Sequence, residues 1–243
     1  MTRWEKYALA SLLQAVRPDV AIEIGTYQGG SLQLLSQYAQ KVYSVDISPE
    51  PASRLGDSFP NVDFLIGSSK EVLPGLIRAI SESRERLGFI LVDGDHSHAG
   101  VMSDANAILK YVPVGPLFIV FHDSFNPECR KGILSSNWRA CDHVHLVEID
   151  FVPGVYYQQA CGRAAERSMW GGLALALSLP EKRTKPLEIH QSQWLLFHAA
   201  LRHSGYRRRA LFNAIRATLS GIKRKIVGKR HAEKPSGTPQ VFR

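Results

Sequence analysis

The fold is decided by one stretch near the N-terminus, Val20-Ala-Ile-Glu-Ile-Gly-Thr-Tyr-Gln-Gly-Gly-Ser31. Its first five residues follow Pro18 and are apolar apart from Glu23, which predicts a short buried strand. A glycine loop comes next, and the apolar spacing from Ser31 to Gln40 predicts a helix. A strand, a glycine loop and a helix in this order form the nucleotide-binding turn of an open α/β sheet, where backbone N–H groups face the ligand.

A second predicted strand, Lys41-Val-Tyr-Ser-Val-Asp46, ends in a carboxylate 21 residues after Gly25. A carboxylate at this strand end can accept both ribose hydroxyls of a nucleoside. The loop departs from the dinucleotide pattern G-x-G-x-x-G because Tyr27 stands where the middle glycine would be. A bulky ring there is a poor host for a pyrophosphate, but it tolerates a nucleoside without phosphate, such as S-adenosylmethionine.

Strands alternate with helices five times, which predicts a doubly wound, mostly parallel sheet of the α/β class. An amphipathic helix from Arg3 to Val16 is expected to precede the first strand. Two later strands, at 143–149 and 170–178, are joined by a short link and are expected to form a hairpin at the sheet edge. The expected total is therefore about seven strands in this Rossmann-like sheet.

Composition limits the class of protein. The sequence has no run of 18 apolar residues and no apolar N-terminal run of the kind found in signal peptides, so we expect a cytoplasmic protein. The three cysteines, Cys129, Cys141 and Cys161, form no C-x-x-C pair and are expected to be reduced thiols.

The net charge of +8 belongs to the C-terminal part of the chain: residues 1–188 contain 18 Lys+Arg and 21 Asp+Glu, whereas residues 189–243 contain 12 and 1. We expect a nucleotide-binding domain at 1–186, a basic amphipathic helical extension at 187–231 and a disordered tail at 232–243. The extension has one apolar stripe with helical spacing, formed by Leu211, Ile215, Leu219, Ile222 and Ile226. Such a helix either lies on an anionic membrane surface, which suits it better than nucleic acid, or packs on an acidic partner or its own domain.

Polar side chains gather where two neighbouring strands of the predicted sheet end. Asp93 and His96 follow the strand at 88–92, and His122 and Asp123 follow the strand at 117–121. Ligands of open α/β sheets bind beyond the carboxyl ends of the strands, so these side chains are expected to lie in one crevice. Asp93, His122 and Asp123 could hold a divalent cation, and His96 could take a proton from a substrate hydroxyl.

These motifs resemble those of class I S-adenosylmethionine-dependent methyltransferases over roughly residues 15 to 180. The group they resemble most includes the macrocin and mycinamicin sugar O-methyltransferases and the so-called cephalosporin hydroxylases. The matching segments are Glu23-Ile-Gly-x-x-x-Gly-Gly-Ser, Val45-Asp46, Gly67-Ser68, Val92-Asp-Gly-Asp-His-Ser97 and Phe121-His-Asp123.

The resemblance implies an S-adenosylmethionine site, with Glu23 and Gly25 at the methionine end, Asp46 at the ribose and Ser68 near the adenine. It also implies that His96 is the general base and that Asp93 and Asp123 bind Mg²⁺ or Mn²⁺. His122 is a departure, because metal-dependent members usually place an acidic residue there. Magnesium prefers oxygen ligands, so a histidine favours a softer ion, a weakly held one or none. The expected cofactor-binding residues are Glu23, Gly25, Thr26, Gly29, Ser31, Asp46, Ser68 and Asp93.

The predicted function is methylation of a hydroxyl on a small molecule or glycoside. An NAD(P)-dependent oxidoreductase is the alternative enzyme class, and Tyr27 and the lack of a Tyr-x-x-x-Lys pair argue against it. A non-catalytic nucleotide-binding module with a membrane- or nucleic-acid-binding tail is the other alternative. The acceptor and the oligomeric state cannot be inferred from the sequence.

Overall fold

The computed structural model of the chain describes residues 1–83, 85–161 and 164–206. Helices and strands alternate through the first half, as predicted. They are α1 (Arg3–Val16), β1 (Val20–Ile24), α2 (Leu32–Tyr38), β2 (Lys41–Asp46), α3 (Glu50–Leu55), β3 (Val62–Ile66), α4 (Ser69–Ser83), β4 (Leu87–Val92), α5 (His98–Ile108), β5 (Leu117–His122) and α6 (Pro127–Ser135). The second half is mostly β-structure: β6 (Val144–Val152), β7 (Val155–Cys161), β8 (Ala164–Trp170), β9 (Leu173–Ser178), β10 (Ile189–His190) and finally α7 (Trp194–His203).

The main sheet has the strand order β10-β6-β9-β5-β4-β1-β2-β3. All its strands run parallel except β9, which is antiparallel to both β5 and β6. Every residue of β1 and β4 is buried, as expected of central strands covered on both faces. The chain has a Rossmann-like fold, and the carboxyl ends of β1, β2, β4 and β5 lie along one edge of the sheet.

Helices cover both faces of the sheet. On one face, Leu9 and Leu13 of α1 and Leu32 and Leu35 of α2 pack against β1, β4 and β9 in one buried cluster. On the other face, α4, α5 and α6 contribute apolar side chains to a second cluster with the opposite faces of the strands. The amphipathic N-terminal helix predicted from the sequence is therefore part of the core and covers one sheet face.

The second half differs from the prediction in two ways. The main sheet has eight strands and not seven, and the link between the two late strands folds into a separate antiparallel hairpin, β7–β8. The two late strands, β6 and β9, pair antiparallel as predicted, but the short strand β10 lies outside β6. β9 lies between β5 and β6, whose hydrogen bonds satisfy both of its edges, and it is almost entirely buried.

Two elements lie between residue 186 and residue 206, where the described part of the chain ends. β10 pairs with β6, and Phe197 and Ala200 of α7 pack with Phe125 and Met169 in a small third cluster. The predicted apolar stripe from Leu211 to Ile226 and the tail at 232–243 lie outside the described residues. Within the described ranges, no helix is long and apolar enough to span a membrane.

Candidate active site

The glycine loop after β1 holds three adjacent strand ends together. Gly25 has a φ of +89°, and a Cβ placed on it would lie 2.2 Å from the Asp93 carbonyl oxygen. Its N–H donates to the Val45 carbonyl oxygen (2.8 Å), and the Asp93 N–H donates to the Ile24 carbonyl oxygen (2.8 Å). Only glycine fits this backbone contact, which keeps the cofactor-side ends of β1, β2 and β4 close together.

Asp46 binds the loop through backbone N–H groups. One carboxylate oxygen accepts from Thr26 (2.9 Å) and Tyr27 (3.0 Å), and the other accepts from Ser48 (2.8 Å). Partial burial acts to raise the pKa of Asp46, but these three donors hold it below its ordinary value. Asp46 is therefore a fixed anion at the end of β2, with acceptor positions left for a ligand.

A cavity of about 470 Å³ lies above these strand ends. Gly25, Asp46, Ser68 and Asp93, all predicted cofactor-binding residues, line it, and His96 lies on its wall. The other predicted cofactor residues, Glu23, Thr26, Gly29 and Ser31, are not among the described lining residues.

Glu23 lies behind the loop and not in the cavity. Its side chain is fully buried and accepts hydrogen bonds from the hydroxyls of Ser31 (2.6 Å) and Ser44 (3.1 Å). Burial raises the pKa of Glu23 to about 7, against the opposing effect of these hydroxyls. The glutamate and its partners form a buried polar support for the loop, since Thr26 also reaches Ser44 with its hydroxyl (2.5 Å).

A cluster of acids and histidines, the acid–histidine cluster, lies at the β4 and β5 ends of the cavity. His96 Nε2 is 2.8 Å from an oxygen of Asp123 and 3.5 Å from an oxygen of Asp93. His122 Nδ1 is 2.9 Å from Asp93 Oδ1 and 3.5 Å from Asp123 Oδ1. The structure therefore brings together all four residues that the sequence placed at these two strand ends.

The fifth member of the acid–histidine cluster, Glu5, comes from α1 and was not predicted. Its Oε2 lies 3.3 Å from His122 Nε2, and its Oε1 accepts a hydrogen bond from the Gly172 N–H (2.6 Å). The sequence signal was the capping box that Thr2 and Glu5 form at the start of α1. That pattern predicts a helix start and gives no indication that the glutamate reaches a site more than 100 residues later, at His122.

The acids hold both histidines in the charged form. Hydrogen bonds from His96 to Asp123 and Asp93 raise the pKa of His96 to about 9 against some desolvation. Burial acts to lower the pKa of His122, but Asp93 and Glu5 outweigh it and raise that pKa to about 10. The pKa of Glu5 falls to about 2 despite its burial, because His122 and two backbone N–H groups stabilise the carboxylate.

A divalent cation at this cluster was predicted from Asp93, His122 and Asp123. Together with His96, these residues offer one ligand atom each within 4.8 Å of one another. Both ring nitrogens of His122 face carboxylate oxygens, those of Asp93 and Glu5. A coordinating imidazole must direct a lone pair at the metal, so a metal ion bound by His122 would have to displace one of these two contacts.

The hairpin β7–β8 reaches the acid–histidine cluster through one aromatic residue. Trp170, at the end of β8, makes an edge-to-face contact with His96, with ring centroids 5.8 Å apart. Tyr27, in the glycine loop, is 77% exposed and lines the cavity. His143 and His145 contact the carbonyl oxygens of Leu179 and Glu181.

Residues 22–124 match the family model of a methyltransferase domain. That segment runs from the middle of β1 to Ser124, two residues after His122, so it contains Asp46, Asp93, His96 and Asp123. No protein with curated annotation matches the sequence.

Several solved structures are similar to this chain. The O-methyltransferase TomG from Streptomyces achromogenes, in complex with S-adenosylmethionine, is 16% identical over 74% of this chain and 81% of its own, with a TM-score of 0.53. An O-methyltransferase from Bacillus cereus with S-adenosylhomocysteine is 16% identical over 73% and 82%, with a TM-score of 0.48. The N-methyltransferase NodS from Bradyrhizobium japonicum is 13% identical over 74% and 89%, with a TM-score of 0.46. The similarity to TomG supports the Rossmann-like methyltransferase fold.

Proposed function

We propose that this protein is an S-adenosylmethionine-dependent methyltransferase that methylates a hydroxyl group of a small molecule or glycoside. One observation carries the proposal: Asp46 and His96 line the same cavity, and His96 is paired with Asp123. Asp46 provides a hydrogen-bond acceptor for the ribose hydroxyls, and His96 provides a base for the proton of the substrate hydroxyl. These are two of the functions that this reaction needs from the protein. The matched methyltransferase domain and the fold shared with TomG support the same cofactor.

In the proposed complex, Asp46 accepts the ribose hydroxyls, and Ser68 lies on the part of the wall expected to face the adenine. Tyr27 takes the position where a dinucleotide enzyme needs a glycine so that the backbone can approach a pyrophosphate, and it lines the cavity. The site therefore accommodates a nucleoside better than NAD(P).

His96 is the proposed general base. Its Nε2–H donates to Asp123, which leaves Nδ1 as the nitrogen that accepts the proton of the acceptor hydroxyl. Asp123 fixes the tautomer and stabilises the imidazolium that forms. Its own second oxygen accepts the Gly171 N–H (2.6 Å), so the pair is held in position by the backbone before β9.

The protein's remaining task is alignment. The sulfonium of S-adenosylmethionine supplies an activated methyl group, so the reaction needs the acceptor oxygen, the methyl carbon and the sulfur in line and water excluded. A cationic cofactor bound in the same cavity as His96 would favour the neutral form of this imidazole, because like charges repel. His96 would then be available in part as the free base.

Calorimetric titration of the purified protein with S-adenosylmethionine, S-adenosylhomocysteine and NADH tests the proposal. The two methionine-derived ligands should bind at least about tenfold more tightly than NADH, a difference of about 1.4 kcal/mol. Transfer of a labelled methyl group to ligands that co-purify with the protein, followed by mass spectrometry, should then identify the acceptor. Tighter binding of NADH would favour the oxidoreductase, and binding of none of the three would favour the non-catalytic module.

A further inference from the structure

Glu5 is an unusual residue for the first turn of a helix, because its side chain is fully buried. One carboxylate oxygen accepts the N–H of Gly172 (2.6 Å), and the other accepts the N–H of Thr2 (2.5 Å). The second oxygen also faces His122 Nε2 at 3.3 Å. A buried carboxylate is costly unless charge and hydrogen bonds compensate it, and these three donors provide both.

His122 lies between two carboxylates. Its side chain is 9% exposed, with Nδ1 facing Asp93 and Nε2 facing Glu5. An ionised carboxylate only accepts hydrogen bonds, so each ring nitrogen must direct an N–H at its partner. Coordination of a metal ion would require His122 to give up one of these two contacts, and Asp93 or Glu5 would then lose one of its donors.

We propose that Glu5 is a positioning residue, which holds His122 against Asp93. The imidazole of His122, fixed between these two carboxylates, then acts as a brace that holds Asp93 in place, and it does not ligate a metal ion. The brace acts on the proposed base through Asp93, whose Oδ1 contacts both His122 (2.9 Å) and His96 (3.5 Å). Asp123, the other partner of His96, is fixed separately by the Gly171 N–H (2.6 Å).

The backbone before β9 is shaped around Glu5. Gly171 has a φ of +71°, and a Cβ on it would lie 2.4 Å from Glu5 Oε1. The N–H of Gly171 donates to Asp123 and that of the next residue, Gly172, donates to Glu5. The same two-glycine turn therefore fixes both the N-terminal helix and the carboxylate that holds His96.

The bracing role of His122 can be tested on the wild-type protein, with a variant needed only to assign the signals. With ¹⁵N-labelled histidine, both ring nitrogens of His122 should give protonated signals at neutral pH, assigned by their loss in His122→Gln. Titration with Mn²⁺ should show no saturable site that depends on His122. A Mn²⁺ site of one ion per chain that His122→Gln weakens would overturn the proposal, and so would a deprotonated ring nitrogen on His122.

Glu5→Gln tests the positioning role. One amide oxygen cannot replace both carboxylate oxygens, so the ¹⁵N signal of His122 Nε2 should shift towards the deprotonated range. This readout does not depend on the proposed function. The kinetic readout does: methyl transfer should slow by about 10- to 100-fold in kcat, as for partners that orient a functional histidine, with the Kd for S-adenosylmethionine unchanged.

Thr2→Ala is the matched control, because it removes the side-chain cap of α1 and leaves Glu5 in place. If Thr2→Ala lowers kcat as much as Glu5→Gln, or if Glu5→Gln changes neither the His122 signal nor kcat, Glu5 only docks the helix and the proposal is wrong. Absence of S-adenosylmethionine binding in the wild type would instead contradict the proposed function, and the His122 signals would still report on the brace.

Discussion

Asp46 has two roles in the proposed complex. Its carboxylate accepts two N–H groups of the glycine loop and that of Ser48, and it also accepts the ribose hydroxyls. Asp46→Ala should weaken S-adenosylmethionine binding by more than about 1 kcal/mol, the loss of a charge-assisted hydrogen bond. Calorimetry would measure the change, with the exposed Asp57→Ala as a control. Equal affinity in Asp46→Ala and the wild type would remove Asp46 from the cofactor site.

His96 carries the predicted chemistry and a predicted pH dependence. His96→Ala should lower kcat by about 100-fold with the Kd for the cofactor intact, and His145→Ala should leave both unchanged. The neutral imidazole is the active form of a base, and the pKa of His96 is raised to about 9. The rate of acceptor methylation should therefore rise with pH through neutrality and level off towards about pH 9. A rate that falls over this range would show that His96 acts as an acid or not at all.

Sequence reasoning located Asp93, His96, His122 and Asp123 because parallel strands end at a common edge. It missed Glu5 because only the folded chain brings the start of α1 beside His122, which is more than 100 residues later. It placed Glu23 at the cofactor, and the structure buries this side chain against Ser31 and Ser44. The residue type alone does not indicate whether a glutamate at a strand end faces a ligand or the interior.

At the scale of secondary-structure elements, the close contact between the ends of β1 and β4 leaves no room for a side chain at Gly25. Gly25→Ala combines a left-handed backbone with a clash against the Asp93 carbonyl, so it should cost about 2–4 kcal/mol of unfolding free energy and weaken cofactor binding. Gly30→Ala is the matched control in the same loop, where a Cβ meets nothing within 4 Å. It should change stability by less than about 0.5 kcal/mol in denaturant titrations. Equal effects of the two substitutions would contradict the described contact.

The alternation of β1 to β5 with helices was predictable because buried parallel strands are short apolar runs between helix signals. The antiparallel pairing of β6 with β9 was predictable too, but which of the two lies beside β5 was not, since the sequence of an apolar strand does not specify its second neighbour. Gly171 and Gly172 indicate that the chain turns back. The sequence does not distinguish a turn at the edge of the sheet from a turn that leads into its interior. The separate hairpin β7–β8 was missed for the related reason that its strands pair only with each other.

For the whole molecule, the boundary of the domain can be tested by truncation. β10 and α7 pack on β6 and on the cluster around Met169, so a cut after residue 186 removes both elements, whereas a cut after residue 206 keeps every described residue. We expect the protein cut after residue 206 to keep its melting temperature and cofactor affinity, and the protein cut after residue 186 to melt earlier. Equal melting temperatures would show that these elements contribute nothing to stability.

The charge of the C-terminal segment leads to a separate prediction about membranes. Each Lys or Arg near an anionic surface contributes about 1 kcal/mol, and salt screens this attraction. The full chain should bind phosphatidylglycerol vesicles at low salt and release them as salt rises, and the chain cut after residue 206 should not bind. Phosphatidylcholine vesicles are the control. Binding that survives the cut would place the membrane contact elsewhere, and no binding by the full chain would favour packing on the domain itself.

The insertion of β9 between β5 and β6 also has a consequence for how the chain folds as it is made. β5 ends at residue 122 and β9 begins at residue 173, so a ribosome must add everything between them before the edge of β5 is covered. During that interval the nascent chain exposes an apolar strand edge, a recognised starting point for aggregation. Gly171 and Gly172 emerge just before β9 and supply the N–H groups that bind Asp123 and Glu5. The strands that contribute the cofactor-binding residues can therefore form early in synthesis. The acid–histidine cluster is completed only when β9 has inserted between β5 and β6.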